Sequence, residues 1–228
     1  MLKQVNKIFV IIPAFNEHVA VREVVQSILN AGHQPVVVDD GSTHKLKETL
    51  FDLPVYCLRH RINLGQGAAL QTGMNFAMAK GAEYIAHFDA DGQHDAKDID
   101  NLYTEALKGY DIVLGSRFLQ GAQHNMSSGR KVLLRVARFV NFLFTGLYLS
   151  DAHNGIRLMN RKAAQSIQLK ENRMAHATEL LSLVKKHKLK YKEVPVHILY
   201  SDYSRSKGQS AMNSFRILFD LILEKLFR

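Results

Sequence analysis

The chain has 228 residues, 46% of them hydrophobic, and a formal net charge of +9. That length suits one sizeable domain, and the cationic excess favours anionic partners: nucleic acid, anionic lipid headgroups or phosphorylated substrates. The single cysteine excludes a disulfide framework, and no apolar run approaches the roughly 20 residues that span a bilayer.

The first half alternates strand and helix. Lys7 to Ile12 is a β-rich run that ends in Pro13-Ala14-Phe15-Asn16-Glu17, so the N-terminus reads as a strand rather than a signal peptide. Glu17 to Ala31 has helical spacing, with Asn16 as its N-cap and Gly32 as its stop. Pro35 to Val38 is a strand leading into Asp39-Asp40-Gly41-Ser42, and a short helix follows over His44 to Leu50. Val55 to Arg59 is a further strand, in which Cys57 reads as a buried, inert thiol. Gly65 to Lys80 is an alanine-rich helix closed by Gly81. Tyr84 to Phe88 is an apolar strand, and Asp89-Ala90-Asp91-Gly92-Gln93-His94 stands where it leaves the core. Ala96 to Lys108 is helical, and Asp111 to Gly115 is a strand running into Ser116-Arg117.

Such alternation implies a mainly parallel sheet with crossover helices. In that architecture ligands bind at the carboxyl ends of the strands, and every polar motif named above falls there. Two carboxylates one residue apart at such an end suit a hard divalent cation held against a diphosphate.

The second half differs. Gly121 to Gly129 is a polar loop, and Arg130 to Ser150 mixes Arg130, Lys131, Arg135 and Arg138 with large apolar residues. That stretch fits an interfacial helix and a core helix with a charged rim equally well. Near the C-terminus Arg216, Asp220, Glu224 and Arg228 make a narrow polar stripe on an otherwise apolar helix, which calls for a partner. Its own core is the first candidate; a lipid surface, a membrane-protein helix or a dimer mate are the others. No internal repeat is visible, so the chain reads as one domain over 1–228, with a ligand-binding half (1–120) and an acceptor-side half with interface helices (121–228).

The ordered set Pro13-Ala14-Phe15-Asn16-Glu17, Asp39-Asp40-Gly41-Ser42, Asn63-Leu64-Gly65-Gln66-Gly67, Asp89-Ala90-Asp91-Gly92-Gln93 and Gly115-Ser116-Arg117 resembles family 2 glycosyltransferases of GT-A fold. Within that family it is most similar to the dolichyl-phosphate mannose synthase and polyprenyl-phosphate glycosyltransferase branch. Asp151, Gly155, Arg157, Glu193-Val194-Pro195-Val196 and Ser206-Lys207 continue the pattern. The resemblance implies an α/β fold with a Rossmann-like central sheet flanked by helices, and C-terminal amphipathic helices.

It also implies roles. Pro13, Phe15, Glu17, Asp39, Asp40, Asn63, Gly65, Gly67, Ala90, Arg205 and Lys207 would line the nucleotide sugar with Asp89 and Asp91. Carboxylates there accept from base and ribose donors, and Gly65 and Gly67 open a helix whose N-terminus favours anions. A tight turn is the competing reading for both segments. Asp89, Asp91 and Gln93 would hold Mg²⁺ or Mn²⁺, while His94 reads as a solvated loop residue. Arg117, Arg130 and Arg135 would meet the acceptor phosphate, with Asp89, Asp91, Arg117 and Arg130 as the catalytic set. Arg205 and Lys207 would form a basic flap.

Hydroxyl-using relatives carry an aspartate in a Thr-Glu-Asp motif, where this chain reads Thr178-Glu179-Leu180. Loss of that base favours a phosphate acceptor. The resemblance therefore implies inverting transfer of a hexose, of mannose or glucose type, from a GDP- or UDP-sugar to a polyprenyl phosphate. The reaction would run at the cytoplasmic membrane face, on a peripheral enzyme working with the membrane surface or a small membrane-protein partner. Transfer to a sugar hydroxyl in glycan assembly is the alternative, and a non-catalytic nucleotide-sugar-binding protein is one of another class. No nucleic-acid partner is expected, because only the net charge suggests one.

Overall fold

The computed structural model describes residues 8–124, 128–152 and 154–198. A seven-stranded sheet organises them, in the order β3-β2-β1-β4-β7-β5-β8. Its strands are β1 (Phe9–Ala14), β2 (Gln34–Asp39), β3 (Tyr56–Arg59), β4 (Tyr84–His87), β5 (Ile112–Ser116), β7 (Arg157–Asn160) and β8 (Tyr191–Pro195). A small second sheet pairs β6 (Gln123–His124) with β9 (His197–Ile198) in parallel. The helices are α1 (Ala20–Asn30), α2 (Leu46–Thr49), α3 (Gln66–Ala79), α4 (Asp98–Ala106), α5 (Ser128–Thr145), α6 (Arg161–Ser166) and α7 (His176–Lys186).

All main-sheet strands run parallel except β7, which is inserted antiparallel between β4 and β5. The sequence reading did not foresee β7. Its four residues, Arg157-Leu158-Met159-Asn160, are too short and too charged to read as a strand without their neighbours. The chain passes from β1 outward through β2 to β3, then returns to place β4 on the other side of β1. That reversal opens a crevice at the carboxyl ends of β1 and β4.

Strand alternation divides the core in two. One layer joins α1 and α4 to one face through Val10, Ile12, Val37, Ala86, Phe88 and Leu158. The other joins α3, α6 and α7 to the opposite face through Ile11, Val38, Ile85, Leu114 and Met159. Helix α3 lies tight on β1: a Cβ on Gly73 would come within 2.2 Å of the Ile11 side chain. This close approach fixes where the first turn of α3 stands relative to the end of β4.

The helix boundaries carry one correction. Asn16 does not cap α1, which begins at Ala20 with no side-chain cap. It takes a positive φ of 56°, donates its N–H to Ser42 Oγ (2.9 Å) and accepts from Thr43 N–H (3.0 Å). It therefore ties the end of β1 to the loop after β2. Gly32 does end α1, at φ 82°, a left-handed position natural to glycine.

No helix among the described residues is long and apolar enough to cross a membrane. Helix α5 nonetheless exposes Val136, Phe139, Phe142 and Leu143, with Tyr148 just beyond its end. The C-terminal helix expected over Phe215 to Arg228 lies outside the described residues.

Candidate active site

The motifs after β1, β2, β3, β4 and β5 gather along one edge of the sheet, because those strands share one direction. At the end of β4, Asp89 is held from two sides. Its Oδ1 accepts from Gln66 Nε2 in the first turn of α3 (3.1 Å), and Oδ2 stands 3.4 Å from His94 Nε2. Gly155 closes the third side: a Cβ there would lie 1.9 Å from Asp89 Oδ2. Asp91 accepts from its own loop, from Gln93 N–H (3.1 Å) and Gln93 Nε2 (2.6 Å).

The electrostatics of the pair are unequal. Burial would raise the Asp89 pKa, but the His94 contact and the Arg157 charge hold it below the ordinary value. Burial and the adjacent Asp89 charge push Asp91 up to about 6, with Glu17 adding to the push. Two crowded carboxylates of unequal acidity are a site for added positive charge.

Asp89, Asp91 and the Gln93 amide oxygen are oxygen donors of the kind Mg²⁺ and Mn²⁺ take. No group of three His, Cys, Asp or Glu among the described residues is set to hold a metal alone. The residues fit a divalent cation whose shell is completed by substrate phosphates, the usual arrangement for Mg²⁺.

His94 departs from the sequence expectation. Its side chain is 3% exposed, packs edge-on against Phe88, and has no partner for Nδ1 among the described residues. The polar residues of that loop concealed this, because the contacts with Phe88 and Asp89 that draw the ring inward show only in the fold.

Several expected ligand contacts are replaced by internal ones. Asp39 binds Ser42 N–H (2.9 Å), Leu46 N–H (3.3 Å) and the Arg59 guanidinium. Burial raises its pKa, but these donors outweigh that and leave it lowered. Asp40 receives Leu64 N–H (3.0 Å), Gly65 N–H (2.7 Å) and His60 Nδ1 (2.6 Å), and so fastens the loop after β3. The N-terminus of α3 is likewise taken: Gly67 N–H donates to the Asn172 carbonyl (2.8 Å). A Cβ on Gly65 would come within 2.3 Å of that oxygen, and one on Gly67 within 2.0 Å of the Glu171 oxygen. These glycines admit the 171–172 backbone, in place of the anion the sequence suggested. Pro13, Glu17 and Asn63 lie along the same edge, Phe15 is exposed, and Ala90 is buried between the two aspartates.

Arg117 requires the largest revision. It is 7% exposed and grips Asp151 through Nε (2.6 Å) and Nη2 (2.7 Å), with its backbone N–H on the same carboxylate (3.1 Å). Glu193 on β8 holds Ser150 N–H (2.9 Å) and Asp151 N–H (3.1 Å), which aims Asp151 at the arginine. This geometry makes Arg117 a brace between β5 and the segment before β7, not an open acceptor-phosphate ligand. Three motifs that the sequence lists separately thus form one network. Asp151→Ala should lower stability by roughly 3–5 kcal/mol, since it takes the carboxylate from a buried guanidinium; chemical denaturation measures it, and a loss under 1 kcal/mol would contradict the brace.

Arg130 and Arg135 lie on α5, with side chains outside the described set; Arg205 and Lys207 lie outside the described residues altogether. Sequence reasoning also missed Gln66, Gly155 and Glu179. Gln66 sat inside a quoted motif, and only the placement of α3 reveals its contact with Asp89. Glu179 accepts Lys170 N–H (3.0 Å) and Glu171 N–H (2.9 Å), while Leu180 beside it is fully buried.

The seven-stranded sheet with its antiparallel β7, and an acidic loop at the switch point, define a GT-A glycosyltransferase fold. Residues 9–168 match the family description "Glycosyl transferase family 2", and the chain belongs to that family; it is a glycosyltransferase. It is 32% identical to the UDP-N-acetylglucosamine–dolichyl-phosphate N-acetylglucosaminyltransferase of Methanococcus voltae, over 96% of each chain. It is 28% identical to the dolichol-phosphate mannosyltransferase of Pyrococcus furiosus, covering 95% of this chain and 64% of that protein. Among solved structures, glucosyl-3-phosphoglycerate synthase from Mycobacterium tuberculosis, in complex with Mn²⁺, UDP and glucosyl-3-phosphoglycerate, superposes with a TM-score of 0.65. That match covers 85% of this chain and 71% of the other at 18% identity, a likeness of fold.

Proposed function

We propose that the protein transfers one hexose from a GDP- or UDP-sugar to a polyprenyl phosphate, with inversion, at the cytoplasmic face of the membrane. The observation that carries this reading is on the acceptor side. Glu179 is committed to two backbone N–H groups and Leu180 is buried, so that stretch offers no base to a sugar hydroxyl. A phosphate monoester needs none, since its second pKa near ~6 leaves it mostly dianionic at neutral pH. A phosphate oxygen forms the new bond to the anomeric carbon. The bond from that carbon to the diphosphate breaks, and the nucleoside diphosphate leaves with the electron pair.

Asp89, Asp91 and Gln93 hold the cation, Mg²⁺ or Mn²⁺, which when bound neutralises charge on the leaving diphosphate. Gln66, His94 and Gly155 keep Asp89 in place. Glu17, with Phe15 and Asn63, faces the nucleoside. Arg130 and Arg135 meet the acceptor phosphate, and Arg205 and Lys207 close over the donor. The exposed Phe139, Phe142 and Leu143 of α5 support a peripheral seat at the lipid surface that carries the acceptor. The likeness to the dolichyl-phosphate transferases of Methanococcus voltae and Pyrococcus furiosus supports the acceptor class.

The test is a transfer assay pairing GDP-mannose, UDP-glucose and UDP-N-acetylglucosamine with a short polyprenyl phosphate, with and without Mn²⁺. One donor should give a metal-dependent, inverted lipid-linked product. Transfer only to a free sugar hydroxyl would sink the acceptor assignment.

A further inference from the structure

Beneath Asp89 the protein buries a positive charge whose hydrogen bonds are incomplete. Arg157 opens β7 and is 4% exposed. Its Nη2 donates to the Asn154 carbonyl (2.9 Å), while Nε and Nη1 have no partner among the described residues. Directly across the ladder stands His87 of β4, equally buried and with neither ring nitrogen partnered among the described residues. Side chains opposite each other in an antiparallel pair leave on the same face. Here that face is the α3 and α7 side, shared with Ile85 and Met159. From α7 the buried His176 joins them, its Nδ1 2.7 Å from the Arg173 carbonyl.

Asp89 follows His87 by two residues, and Gly155 precedes Arg157 by two. Gly155 abuts the Asp89 carboxylate so closely that no Cβ fits between them. Arg157 therefore lies directly behind the acidic loop, and Asp89 and Asp151 are the carboxylates that feel its charge. Burial and then Arg157 lower the His176 pKa to about 4, so that ring stays neutral, and the Arg157 guanidinium is the permanent charge of the cluster.

Such a charge repels any second cation that approaches Asp89 and Asp91 from the crevice. We propose that Arg157 weakens the acidic centre for a bare divalent cation, so that the cation is held firmly only with a diphosphate and leaves with the nucleoside diphosphate. This inference rests on the reading of Asp89 and Asp91 as the cation centre. Arg157 touches neither substrate nor cation in it; it is a positioning residue acting through the field at the site.

The experiment is Mn²⁺ binding to the full chain at pH 8, read from the free-Mn²⁺ electron paramagnetic resonance signal, with and without UDP or GDP. Wild type should bind Mn²⁺ weakly alone and tightly with one nucleotide. Arg157→Met should bind bare Mn²⁺ about tenfold tighter, the scale of a unit charge several ångströms away, and so shrink the nucleotide's effect. Arg157→Lys should keep the wild-type values. Arg157→Gln, which retains a donor for the Asn154 carbonyl, is the second neutral variant should the methionine chain fail to fold by circular dichroism. Tightening runs opposite to structural damage, which would loosen the site. Unchanged or weaker Mn²⁺ binding in the folded neutral variant overturns the role of Arg157 alone. Absence of Mn²⁺ binding by wild type, even with both nucleotides, overturns the cation centre and this inference with it.

Discussion

Asp91→Asn is expected to raise the melting temperature of the metal-free protein while cutting metal-dependent transfer on the order of 10²–10³-fold. The two effects share one cause. Asp91 titrates at about 6 in the fold against an ordinary 3.8, because burial and the Asp89 charge disfavour its ionised form. The folded state thus holds the proton more tightly than the unfolded chain. The stability this provides is fully present below about pH 4 and is lost as pH rises through about 6. At pH 7.5 the ionised side chain costs at most about 3 kcal/mol, which asparagine would recover. Mn²⁺ added together with UDP or GDP should stabilise the wild type more than the variant. Calorimetric melts at pH 5 and pH 7.5, with and without Mn²⁺ and nucleotide, check this. A variant less stable than wild type at pH 7.5 without metal would show that Asp91 is not under strain.

Gly155→Ala is expected to damage the site more than the fold. The added methyl would fall 1.9 Å from Asp89 Oδ2 and 2.5 Å from its Cγ, so the carboxylate must turn away or the start of β7 must shift. Overpacking of this kind costs about 1–3 kcal/mol. A displacement near ~1 Å at a charged centre can cost about 10² in rate. Steady-state transfer kinetics beside a denaturation curve separate the two. Activity lost only in proportion to folded protein would mean that Gly155 serves packing alone.

The parallel order and the edge that carries the motifs were legible because each needs only local signals. Apolar runs marked β1, β2 and β4, and an acidic or glycine-rich turn followed each. Strand β7 was not legible. It is held by β4 and β5 on either side, with His87 and Leu114 as neighbours of Arg157, and a single strand carries no mark of that pairing. Asp39 and Asp40 read as ligands because a carboxylate pair in a turn looks the same whether its partner is a ribose or Arg59 and His60. Their partners lie 20 residues away along the chain.

The ordered motifs carried the family resemblance, while periodicity and short-range spacing were enough for the alternating architecture and for Asp89 and Asp91 at the end of a strand. Which polar side chains face the crevice, and which face each other, depended on the packing of distant segments. Arg117 and Asp151 meet across 34 residues, and Arg157 reaches the rear of Asp89 because an antiparallel strand is slotted beside β4. A charged side chain's role depends on the charge nearest to it in space, and chain order does not record that distance.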